Sequence, residues 1–114
     1  MLREIAQRVR ACYRVRPARH GGKILADALV AHGVKIAFGV PGESYLPVLD
    51  GLHDHREKLR FIVCRQEGGA SYMAEAHGKL TGEPGVLFVT RGPGATNGSV
   101  GVWPVFRKKS VTRL

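Results

Sequence analysis

At 114 residues with 44% hydrophobic content, the chain has room for one small domain. Its net charge of +9 points first to a nucleic acid or a membrane surface, but the charge sits at the two ends. Residues 1–20 carry a net +5 and residues 103–114 a net +4, while 21–102 sum to zero, which excludes a basic body.

Two cysteines, Cys12 and Cys64, make neither a disulfide framework nor a metal set. Cys64 closes an apolar run and reads as a buried reduced thiol. No apolar run approaches the ~20 residues of a membrane span, so no membrane partner is expected. The first twenty residues share the Arg-rich, acid-poor character of organelle transit peptides but lack their serines. They read instead as a disordered basic extension of a cytoplasmic protein.

Gly21-Gly22 ends this arm. Ile24, Leu25, Ala28 and Leu29 then recur on one predicted helical face, with Gly33 placed to end the helix. Ile36 to Val40 reads as a short buried strand, broken by Pro41-Gly42. Ser44 is a plausible cap for a second helix, which tolerates Pro47 in its first turn and carries Tyr45, Leu49 and Leu52 as an apolar stripe. A charged loop leads to a second strand, Phe61 to Cys64. Ala70, Met73, Ala74, His77 and Leu80 mark a third helix, and Glu75 and Lys79 form an i,i+4 pair on its outer face. Thr81 to Gly85 is a strong turn signal. Val86 to Thr90 is the clearest strand, Gly92-Pro93-Gly94 ends it, and Ala95-Thr96-Asn97 opens another helix. At Trp103-Pro104 the chain changes character, and 103–114 reads as a basic tail. His53 and His55, two apart, read as solvated, and His77 as a satisfied core residue.

Alternating strands and helices predict an α/β fold, with short apolar strands forming a doubly wound parallel sheet in three layers. In such sheets ligands collect at the carboxyl ends of the strands. Glu67 projects from that edge, directly after the second strand. Gly68-Gly69 after it let another body approach the backbone. The bland alternative is a solvated acid that interacts favourably with a helix dipole. Gly92, Gly94 and Gly98 give G-x-G-x-x-x-G, which is neither the dinucleotide fingerprint nor a P-loop.

Two segments, Arg65 to Gly78 and Thr90-Arg91-Gly92-Pro93-Gly94-Ala95-Thr96-Asn97, together resemble the amino-terminal pyrimidine-binding domain of thiamine-diphosphate enzymes, acetolactate synthase large subunits above all. The likeness covers about 22–102. It implies a thiamine-diphosphate-binding fold of roughly six parallel strands, of which this chain holds about three, so a truncated product is expected. It implies that Glu67 activates the cofactor by sharing a proton with the pyrimidine ring, and that Pro93 and Asn97 pack beside that ring. It further implies that Pro41 and Gly42 cover the ring from the other side. The chain departs from the pattern at Gln66, where many relatives have histidine, at Gly68, where many have glutamine, and at Arg91, which replaces a small hydroxyl residue.

The resemblance further implies chemistry on 2-keto acids, carboligation or decarboxylation, with the active site formed between subunits of a homo-oligomer. In the family, Mg²⁺ and the diphosphate are held by a second domain with a Gly-Asp-Gly…Asn motif. That motif does not occur here, so no metal ligand is expected and the chain is expected to be inactive alone. A second reading is a small nucleic-acid-binding module acting through its arms, which are poor in the aromatics that base stacking needs. A third is a remnant without a stable fold.

Overall fold

The computed structural model describes residues 18–107. The expectations for 1–17 and 108–114 lie outside the described residues.

Helix α1 spans Gly21–Ala31. The His20 ring caps it by accepting from the Lys23 N–H at 3.3 Å. Gly33, with φ +80°, turns the chain out after His32. The predicted apolar face is buried only in part. Gly22 and Ala26 are buried, Leu29 and Val30 pack on the core, and Ile24 and Leu25 stay 52% and 43% exposed. The reason is close approach to the next helix, α2 (Leu46–Asp54), against which only small residues fit. A β-carbon added to Gly22 would fall 2.1 Å from the Pro47 carbonyl oxygen.

Strand β1 (Ile36–Gly39) leads through a 3₁₀ turn, Glu43–Tyr45, into α2. Ser44 does not cap that helix. It lies inside the 3₁₀ turn, and Tyr45 occupies the cap position without a side-chain bond. Strand β2 (Arg60–Val63) feeds helix α3 (Glu67–Thr81), which ends at Gly82 in the left-handed region that favours glycine. Strand β3 (Val86–Phe88) is followed by helix α4 (Pro93–Arg107). The first residues assigned from sequence to a basic tail, 103–107, therefore continue α4.

The sheet runs β2-β1-β3, all parallel, with Ala37 in register with Phe61 on one side and Val86 on the other. Alternation along the strands splits the core in two. Ala37, Phe61, Val86 and Phe88 meet α1 and α2 through Ala26 and Leu52, with Leu59 of the loop before β2 buried among them. Phe38, Ile62 and Leu87 meet α3 through Ala70 and Ala74, with Cys64 buried among them. This is the three-layer α/β arrangement expected, with three strands. Three parallel strands put three carboxyl ends at one edge, which is where the chain's unusual turns collect.

His77 is half-buried beside Phe38, with ring centroids 6.2 Å apart. His53 is exposed, but His55 is not simply solvated: its Nε2 lies 2.6 Å from Asp27 Oδ1. Packing of α1 on α2 brings that partner from far along the chain. The bond to His55 holds the Asp27 carboxyl below the ordinary carboxylate value, burial opposes this, and the Arg19 charge adds to it.

Candidate functional site at the carboxyl edge of the sheet

Glu67 is the first residue of α3, placed there because β2 ends at Val63 and Gln66 caps the helix. The Gln66 side chain accepts from the Gly69 N–H at 2.9 Å. A carboxylate in this position also lies favourably in the field of the helix amino terminus. Two of the departures noted in the sequence are coupled here. A β-carbon on Gly68 would fall 2.8 Å from Gln66 Oε1 and 3.2 Å from Val100 Cγ1 of α4, so a side chain there would require both neighbouring side chains to shift.

The turn after β3 comes to the same edge. Gly92 has φ +67°, a conformation that suits glycine, and Pro93 opens α4. One turn into α4, Asn97 Nδ2 reaches Glu67 Oε2 at 3.4 Å. Among the described residues this is the carboxylate's one hydrogen bond, and Oε1 is left open. Gly94 clears the space beside it: a β-carbon there would fall 3.2 Å from Glu67 Oε1 and 2.6 Å from Thr90 Oγ1.

The loop after β1 closes the third side. A β-carbon on Gly42 would fall 1.7 Å from Thr90 Cγ2, so the two loops pack in direct contact. Pro41 is exposed on the same loop. Arg91 Nη2 bridges across to Glu43 Oε1 at 3.0 Å. That pair is largely exposed and contributes little to stability.

Glu67, Gly42, Pro93 and Asn97 are thus gathered at one edge, with Pro41 beside them. The sequence reading missed two contributors. Tyr45, taken as part of an apolar stripe, is buried, stacks on Phe88 with centroids 5.8 Å apart, and donates its hydroxyl to the Val40 carbonyl. Burial raises its phenol pKa, and the nearby Glu67 charge raises it further, so the hydroxyl keeps its proton. Thr90 is the contact point of the two loops; its place just before the glycine turn was the available signal. Among the described residues no group of three or more His, Cys, Asp or Glu is arranged to hold a metal ion, and no helix is long and apolar enough to cross a membrane.

Comparison with known proteins shows the family. Residues 19–110 match the family described as thiamine pyrophosphate enzyme, N-terminal TPP binding domain. The chain is 47% identical over 77 residues to the mitochondrial acetolactate synthase catalytic subunit of Aspergillus candidus, covering 68% of this chain and 11% of that protein. It is 45% identical over 82 residues to acetolactate synthase of Bacillus subtilis (strain 168), covering 72% and 14%. With the acetolactate synthase large subunit of Pyropia yezoensis it shares 44% over 86 residues, covering 74% and 15%. The chain therefore spans between 11% and 15% of the length of these relatives. With its parallel sheet, the acid at the start of α3 and this match over most of its length, the chain belongs to the thiamine pyrophosphate enzyme family, as an N-terminal TPP-binding domain sequence.

Proposed function

We propose that this chain supplies the pyrimidine side of a thiamine-diphosphate site in an acetolactate-synthase-like enzyme acting on 2-keto acids, and that Glu67 is its acid. The observation that carries this is the Glu67 carboxylate, held at Oε2 by Asn97 and open at Oε1 beside the space that Gly94 keeps clear. The residues fit an aminopyrimidine: an acceptor that can hold a proton, backbone without side chains next to it, and aromatic groups behind. When bound, thiamine diphosphate supplies the nucleophilic carbon that attacks a 2-keto acid, in carboligation or decarboxylation.

Glu67 would share a proton with a ring nitrogen through Oε1, acting as a general acid–base at one stated atom. Asn97 donates to Oε2 and so orients the carboxylate. Pro93 and Gly94 form the wall beside the ring, and Pro41 and Gly42 cover it from the β1 loop. Tyr45, through its bond to the Val40 carbonyl, holds the base of that loop. Ligands for the diphosphate and Mg²⁺ come, on this reading, from a second domain, contributed by another subunit of a homo-oligomer.

The test is to graft residues 21–102 in place of the matching segment of the Bacillus subtilis enzyme and follow exchange of the thiazolium proton by NMR. Glu67→Gln in the graft is expected to slow exchange by about 10²-fold or more, the scale of a lost acid–base group. Exchange at the unmutated rate would remove Glu67 from the role.

A further inference from the structure

We infer that Ser71 is a positioning residue: its buried hydroxyl sets the register of α4 along α3 and thereby keeps the Asn97 amide on Glu67. The inference rests on the reading of Glu67 as the acting acid.

Ser71 is 2% exposed, the one buried polar residue of the core among the described residues. Its Oγ donates to the Gly68 carbonyl at 2.8 Å, a bond within its own helix that serines often make. It also accepts from the Gly101 N–H of α4 at 3.1 Å. That second bond is the unusual one, because the N–H groups of a helix interior normally serve their own helix.

The two contacts between the helices are matched. Glu67 and Asn97 are 30 residues apart, and so are Ser71 and Gly101. Ser71 lies one helical turn after Glu67, and Gly101 one turn after Asn97. Glu67–Asn97 and Ser71–Gly101 are therefore successive rungs on a single helix–helix face. Between them Gly68 meets Val100, and Gly98 lies over the Glu67 stem, with a β-carbon on Gly98 falling 3.9 Å from Glu67 Cβ.

Helix geometry makes the rungs interdependent. A slip of one residue moves a helix about 1.5 Å along its axis and turns its side chains by about 100°. The Asn97 amide, already 3.4 Å from the carboxylate, has no slack to absorb either change. Gly101 allows the anchor to form: a β-carbon there would fall 2.4 Å from Ser71 Oγ and 2.6 Å from the Ser71 carbonyl carbon. The neighbours Ala70 and Ala74 serve the sheet-side core and cannot supply this bond.

The experiment is NMR on the isotope-labelled 114-residue chain without cofactor, comparing the unmutated protein with Ser71→Ala and Ser71→Cys. Cysteine keeps the packing volume while weakening both hydrogen bonds. The readouts are hydrogen exchange at the Gly101 amide and the cross-peak between the Asn97 side-chain amide and the Glu67 methylenes. In either variant, Gly101 exchange is expected to rise at least 10-fold and the cross-peak to be lost, with the β1 amides of Ala37 and Phe38 unchanged. An intact cross-peak in a folded variant overturns the inference. Loss of β1 protection in both variants also overturns it, since Ser71 would then be a general packing residue. No thiamine diphosphate enters the measurement, so its failure and that of the Glu67→Gln exchange test are read separately.

Discussion

Gly22 and Gly69 both lie in the first turn of a helix, at ordinary backbone angles, yet a methyl group has opposite consequences at the two. At Gly22 it would meet the Pro47 carbonyl at 2.1 Å and the Val48 nitrogen at 2.5 Å, both backbone atoms that cannot swing aside. At Gly69 nothing lies within 4 Å. Gly22→Ala is therefore expected to destabilise the fold by about 1–3 kcal/mol, the usual cost of overpacking. Gly69→Ala is expected to stabilise it by about 0.4–1 kcal/mol by restricting the unfolded chain. Urea denaturation midpoints check both, and a loss at Gly69 equal to that at Gly22 would contradict the packing described. From sequence, Gly68 and Gly69 looked like equivalent points of close approach. Only Gly68 is one, because α4 crosses there, and that crossing is invisible locally.

Between elements, α1 and α2 are joined on their outer side by one lysine–aspartate ion pair and two histidine–aspartate contacts. Lys23 meets Asp54 at 2.8 Å, His55 meets Asp27 at 2.6 Å, and His20 meets Asp50 at 3.2 Å. The Asp54 carboxyl is held below its ordinary value by the Lys23 hydrogen bond, as Asp27 is by His55. A carboxylate with a lowered folded-state pKa contributes stability that is fully present above its unfolded value, here 3.8. That contribution is lost as the pH falls through the lower folded value. Thermal melts are thus expected to show a stability loss confined to pH below about 4, with Asp27→Asn less stable at pH 6 and shallower in its acid limb. A variant with the same acid limb as the unmutated chain would assign the loss to other carboxylates. The groups are partly exposed to solvent, so the effect is small and weakens with salt.

For the whole molecule, the decisive feature is a parallel sheet of three strands with β3 at one edge. Beside β3, an apolar groove of about 640 Å³ is lined by Leu87, Val89, Val100 and Trp103, the last 68% exposed. A sheet edge and apolar surface of this kind favour association. On the proposed reading the carboxyl edge offers the Glu67 carboxylate to the ring, and among the described residues no group of three or more His, Cys, Asp or Glu could hold a metal ion. Thiamine diphosphate with Mg²⁺ is accordingly expected to bind the 114-residue chain no more tightly than about 1 mM, about 4 kcal/mol at the 1 M standard state. Isothermal calorimetry measures this directly. A micromolar constant would mean that the chain holds the diphosphate as well as the ring.

The sequence by itself determined the α/β class, the order of elements, and the placing of Glu67 and Gly92–Gly94 at one end of the strands. Those follow from local rules: apolar runs of strand length, helical spacing, and glycine and proline where the chain must turn. Once the strands are parallel, residues that follow their carboxyl ends must share an edge. Only the tertiary structure decided which face of α1 is buried, that His55 reaches Asp27, that Tyr45 and Thr90 complete the site, and that Ser71 anchors Gly101. Each depends on a partner from another element, 28 residues away for His55 and 30 for Ser71. The small residues that permit such contact, Gly22 and Gly101, have no hydrophobic weight in a periodicity. Their meaning arises only when two helices close to backbone contact.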